Sequence, residues 1–427
     1  MKKSLVLLFT LLTHGAVAQI AAPPPIRVQA PGPGSAPAPA SLLTPTANDQ
    51  ARFLAGLSQE GSPLGGLARR SEFNAHAKDL DATWADAEER QLGPIRQWAP
   101  LGLPEAVSDT APLLYVFSGP DFLHAHTFFP NASTYVLAAV EPVGLPPDVT
   151  KLSEGELGAS LRNLRNTLNA SLSFSFFITA DMKKDLQATK LTGTLPVLYV
   201  FLARCGCYIQ KVENIWLDAA GKVVTDKPTK TAGARITFLG TKGKVQTLYY
   251  FSTNIASWAL KQDASFLKFC DGLGTMNGFT KSASYLMHMS EFHTIRDYLL
   301  THCHTMTQDD SGIMWKDFPR EFWDVKAYGW YPGPIPLFKQ HYQADLAEYY
   351  RMNEVAPIPF GIGYQWRPKQ STLIYGVTKS MVRKAIPVVE EKAGAAVIPS
   401  APPAPAVPAL QPAVPPKALP VTDEPKR

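Results

Sequence analysis

The chain has 427 residues, with 41 Lys and Arg against 36 Asp and Glu, a formal charge of +5 at neutral pH. No Lys/Arg stripe stands out: "ARR" at 68–70 and the lysines near 227–230 read as loop or helix surface. A nucleic-acid partner is therefore poorly supported.

In chain order, "MKKSLVLLFTLLTHGAVAQ" opens with Lys2 and Lys3, continues in an apolar run from Ser4 to Leu12, and ends in the small-x-small pattern Ala16-Val17-Ala18. These are the parts of a secretory signal, so residues 1–18 are expected to be removed before Gln19 and the protein to be exported, periplasmic or extracellular. The alternative, a membrane anchor, needs about 20 apolar residues. No later segment is apolar enough to span a bilayer, and loss of the two lysines leaves a charge of +3. Residues 19–47 form a Pro/Ala-rich linker, and residues 377–427 a Pro/Ala-rich tail that includes "SAPPAPAVPALQPAVPPKALP". Such composition buries too little apolar surface to offset ordering entropy, so both are expected to be disordered or semi-rigid spacers.

Residues 48–100 are expected to form a helical segment. Phe73, His76, Leu80, Trp84 and Ala87 recur at helical spacing, Ser71 is placed to cap, and Pro94 to break or kink the helix. Residues 101–376 read as one α/β domain. "LLYVFS" (113–118) and "TYVLAAVEP" (134–142) are short apolar strands. Residues 152–177 read as a helix with a Ser153/Glu156 capping box. Residues 195–218 read as strands, 234–254 as a hairpin turning at Thr241-Lys242-Gly243, 278–302 as one or two helices, and 303–312 as a strand running into a Gly turn. The aromatic segment 322–350 offers Trp323, Tyr328, Trp330, Tyr331 and Phe338 for a sugar or peptide groove, or forms a loop over one sheet edge. Residues 357–368 read as a late strand. Strands alternating with helices predict a layered α/β fold, mostly parallel with some antiparallel strands.

Of four cysteines, Cys205 and Cys207 would share a strand face and not bond each other. Cys270–Cys303 is the easiest disulfide to build, and four buried thiols are the alternative.

In an open parallel sheet, ligands sit beyond the C-terminal ends of the strands. The residues expected there are Ser118, Gly119 and Asp121, then Glu141, then Ser252 and Asn254, then Asp309, Asp310 and Ser311. Asp121, Glu141, Asp309, Asp310 and Ser311 are the candidate catalytic groups. His124, His126, Asp309 and Asp310 are candidates for a divalent metal, the one cofactor the residues leave open. "QDDSG" (308–312) has a competing reading as a capped turn. "DFLHAHTFFP" has one as an aromatic loop with surface histidines. No G-x-S-x-G elbow, HExxH, Walker A loop or EF-hand loop is present.

"FSGPDFLHAHTFFPNASTYVLAAVEP" (117–142) resembles the methyltransferase-like Rossmann families: a strand, a Gly-bearing loop, and a second strand ending in an acid at ribose-binding spacing. It has one glycine, and Pro120 lacks an N–H, so no dinucleotide cradle is expected. With "KSASYLMH", "IRDYLL" and "QDDSG" (281–312), the chain also resembles uncharacterised bacterial exported proteins, which implies a compartment and no catalytic residue. Two functions follow. One is a non-catalytic envelope protein, with a degenerate Rossmann-like domain that binds an envelope component or small ligand. The other is a secreted hydrolase or metal-assisted enzyme with an acidic site at the sheet rim.

Overall fold

A computed structural model describes residues 44–176 and 190–379. The expected signal peptide, most of the linker and most of the Pro/Ala-rich tail lie outside the described residues. The chain is mixed α/β, built on one ten-stranded sheet. Its principal helices are α1 Ala47–Leu54, α2 Ser71–Ala87, α3 Gly93–Gly102, α4 Phe122–Phe128, α5 Glu154–Phe174, α6 Leu195–Arg204, α7 Ser265–Asp271, α8 His293–His302 and α9 Ala344–Met352. The strands are β1 Leu113–Val116, β2 Thr134–Ala139, β3 Tyr208–Leu217, β4 Val223–Val224, β5 Thr231–Leu239, β6 Val245–Ser252, β7 Met276–Thr280, β8 Cys303–Gln308, β9 Trp323–Gly329 and β10 Thr372–Thr378.

Across the sheet the strands run β4-β3-β5-β6-β2-β1-β7-β8-β10-β9. The five central ones, β6 to β8, are parallel, and both flanks are antiparallel. The centre is apolar on both faces because each face carries its own helical layer. Leu113, Tyr115, Tyr135 and Leu137 point into a core shared with α1 to α6. Their neighbours Leu114, Val116, Val136 and Ala138 point into a second core, with α7, α8 and α9. Each buried Leu or Val among these contributes about 1.5–3 kcal/mol. The segment 48–100 is therefore one layer of the same core.

Several expectations are corrected. Ser71 is the first helical residue of α2, not its cap; Arg70 precedes it and makes no side-chain cap. Pro94 does not end the helix. A π turn, Glu88–Leu92, passes the chain into α3, and Pro94 sits in the first turn of α3, where its missing N–H is not needed. The first half of 195–218 is a helix rather than a strand. Every residue from Leu195 to Ala203 is buried, so this stretch has no polar face to betray its period. The capping box at Ser153 and Glu156 is present. So is the hairpin, with Gly243 at φ 70°.

Within 278–302, β7 takes the first residues and α8 only the last ten. The late strand is β10, at 372–378; residues 357–368 contribute an isolated bridge, Ile362 to Gln365. The aromatic segment begins with the edge strand β9, and its rings part to opposite faces. Trp323 and Tyr331 enter the second core, while Tyr328 packs on Trp98 of the first, at 5.0 Å. They do not line one groove. Cys205 and Cys207 do not share a strand face. They flank Gly206, at φ 76°, in the turn from α6 to β3, and all four thiols are free.

Candidate functional site

The sheet reverses its winding at β1. Chain order proceeds from β1 to β2 and β6 on one side, then returns to β7 and β8 on the other. The loops after β1 and β7 therefore separate at their C-terminal ends and leave a crevice between them. A cavity of about 240 Å³ occupies it, walled by the residues that follow β1, β2, β6 and β7.

The loop after β1 is bent by two left-handed residues, Phe117 at φ 57° and Gly119 at φ 55°. A bulky residue there is strained, and Phe117 is held by its edge-on contact with Phe292, 5.7 Å between centroids. The bend delivers Asp121 to the N-cap of α4, where its Oδ1 accepts from the His124 N–H at 3.2 Å. That oxygen also lies 2.8 Å from His124 Nδ1. Its partner Oδ2 accepts from the Tyr115 hydroxyl and the Lys281 ammonium, both at 2.9 Å. Burial alone would raise the Asp121 pKa; the surrounding donors and positive charge reverse this and hold it well below the carboxylate range. Burial keeps His124 below its ordinary value, so it is neutral at neutral pH and Lys281 is the cation that balances Asp121. Lys281 also donates to the carbonyl of Ser175.

Beyond His124, its Nε2 lies 3.3 Å from Ser175 Oγ, and Ser175 ends α5 at φ 66°. Ser175, His124 and Asp121 thus follow one another as in a hydrolytic triad. A nucleophile must be reached by its substrate, however. Ser175 is 1% exposed and does not line the cavity. The chain of bonds fastens the end of α5 to the β1 loop.

The "QDDSG" turn after β8 clamps the loop after β7. Asp309 accepts from the Ser282 N–H at 2.9 Å through Oδ2, and from the N–H and hydroxyl of Ser311 through Oδ1. Ser311 Oγ in turn accepts from the Ala283 N–H at 2.8 Å. Asp310 accepts from the Tyr285 hydroxyl at 2.7 Å. These bonds fix Ser282, Ser284 and Tyr285 at φ 51°, 51° and 55°. Gly363, at φ 72°, lies so close that an added Cβ would sit 1.8 Å from Asp309 Oδ2. Burial, then the charge of Asp309, pushes Asp310 up to about 7.

Glu141 differs from these acids. It follows β2, is 5% exposed, and lines the cavity. Its main-chain carbonyl accepts from Tyr250 at 2.9 Å. Its Oε2 is buried without a hydrogen-bond partner among the described residues, as is Ser282 Oγ on the facing loop.

Most of the expected rim residues therefore meet; Ser252 ends β6 and, like Asp310, does not line the cavity. Ser118, Gly119, Glu141 and Asn254 line the cavity, and Asp121, Asp309 and Ser311 build its wall through Lys281, Ser282 and Ala283. The metal candidates diverge: α4 turns His124 toward Asp121 and His126 toward Cys207, whose Sγ is 3.9 Å from Nε2. Neither histidine is at the surface, as the aromatic-loop reading expected. No group of three or more His, Cys, Asp or Glu is placed to hold a metal ion among the described residues. Sequence reasoning missed Lys281, Tyr115 and Ser282. Lys281 directly follows β7, Met276–Thr280, a strand that the helical reading of 278–302 obscured.

The chain matches no protein-family model and no curated protein sequence.

Proposed function

We propose that the protein is an exported, non-catalytic envelope protein that holds a small ligand in the cavity between β1 and β7. The sheet supports a Rossmann-like reading. Its five contiguous parallel strands, numbered as they occur in the chain, lie in the order 3-2-1-4-5, and β9, of the same sense, lies beyond the reversed β10. The observation that carries the binding reading is Glu141, a buried acid with an unpartnered oxygen beside open space. Buried polar atoms are normally paired, so an orphan in a cavity wall points to a visiting partner. The binding reading is favoured over the hydrolase one because, of the four rim acids, Asp121, Asp309 and Asp310 are bonded to Lys281, His124, Ser282, Ser311 and Tyr285, and Glu141 stands alone on the cavity.

The test is to purify the mature protein gently from its native envelope, denature it, and identify released small molecules by mass spectrometry. One compound in near-stoichiometric amount is expected, and it should be depleted in Val140→Trp, at the exposed lip of the cavity. If nothing is released and no member of a metabolite library raises the melting temperature, the binding reading falls. Hydrolytic turnover that Asp309→Asn abolishes without lowering Tm would establish the enzyme instead.

A further inference from the structure

We propose that the cavity takes a small organic cation, an alkyl- or quaternary ammonium group seated between the Glu141 carboxylate and the aromatic rings of the wall. This rests on the small-ligand reading above.

Charge is the first ground. Glu141 is the sole carboxylate among the described lining residues, and Lys281 the sole cation. Lys281 is committed elsewhere: its ammonium lies 2.9 Å from Asp121 Oδ2 and donates to the Ser175 carbonyl. The cation–acid pair cancels, and the charge of Glu141 is left facing the cavity. The negative field in the cavity is therefore that of Glu141. A phosphate or carboxylate would enter against that field. Nor would it find a helix N-terminus to bind, since Asp121 already caps α4.

Shape and surface are the second ground. Phe117 with Phe292, and Phe176 with Tyr364, form two edge-to-face pairs at 5.7 and 5.1 Å on the lining. Aromatic faces attract cations, most strongly where water is excluded. Ser282, on the lining, has its Oγ buried without a partner among the described residues. At about 240 Å³ the space is smaller than a drug-sized site, which suits a compact ammonium compound.

Calorimetric titration of the full mature chain tests this with two cation and neutral pairs, choline with 3,3-dimethylbutan-1-ol and 3-methylbutylamine with 3-methylbutan-1-ol, and with inorganic phosphate. At least one cation is expected to bind tenfold or more tightly than its neutral counterpart, and phosphate not to bind. Glu141→Gln should bring the cation to the affinity of the neutral compound, whose own Kd stays within twofold. Equal affinities in wild type, or preferred binding of phosphate, would overturn the cation inference and leave the small-ligand reading standing. If neither cations nor neutral compounds bind the folded protein, the cation inference falls, and the small-ligand reading is decided separately by the release and melting-temperature test above.

Discussion

The loops after β2 and β8 each carry acid to the same rim of the sheet, and the structure uses the two in opposite ways. At Asp309 and Asp310 every visible demand is internal: the carboxylates hold main-chain N–H groups, a serine and a tyrosine, and so fix the left-handed loop after β7. At Glu141 only the main-chain carbonyl is engaged, and the side chain is left for the cavity. Identical chemistry therefore builds the wall in one place and faces the cavity in the other. The difference lies in the neighbours: a Ser, a Gly and a facing loop surround Asp309, whereas Pro142 and open space follow Glu141.

The sharpest way to break this contrast is to remove a partner from the wall. Lys281→Met leaves Asp121 charged, 1% exposed and without its cation. An uncompensated buried charge typically costs about 3–5 kcal/mol. An unfolding free energy, from urea titration, lowered by that much is expected, and a change under about 1 kcal/mol would show that Lys281 does not support the wall.

A second test uses pH. Asp310 is raised from 3.8 to about 7 by burial and by Asp309. A raised acid binds its proton more tightly in the folded state. Its contribution is therefore fully present below the unfolded value, and is lost as pH rises through the folded one. Asp310→Asn should remove this loss, so its stability relative to wild type should climb between pH 4 and pH 7, by on the order of 1–3 kcal/mol. His76, His126 and His288 act in the opposite sense in both proteins. Burial holds each at about 4, so their contribution is complete above 6.5 and is lost as pH falls toward 4. A flat difference between variant and wild type, measured by urea unfolding, would contradict the raised acid.

The smallest effect is expected on the other side of the comparison. Glu141→Gln keeps the size of the side chain and removes none of its hydrogen bonds among the described residues. Its unfolding midpoint should stay within about 0.5 kcal/mol of wild type. A loss of 2 kcal/mol or more, on the scale of about 1–3 kcal/mol for an orphaned buried group, would place Glu141 in the wall with the aspartates.

The sequence by itself determined what is local. "LLYVFS" and "TYVLAAVEP" are short apolar runs bounded by Gly and Pro, Ser153 and Glu156 cap their own helix, and "TKG" turns its own hairpin. It also pointed to the rim, because loops that follow parallel strands must gather at one edge. What it did not determine was any feature that depends on both faces of an element. The run 195–203 is apolar throughout, so only its place beneath the sheet makes it a helix. Lys281 reads as an ordinary surface lysine until β7 sets it against Asp121, far away in the chain. The opposite fates of Glu141 and Asp309 were decided last, by tertiary structure. A carboxylate is a clamp or an open site according to the donors that packing brings within about 3 Å, and no spacing in the chain encodes that distance.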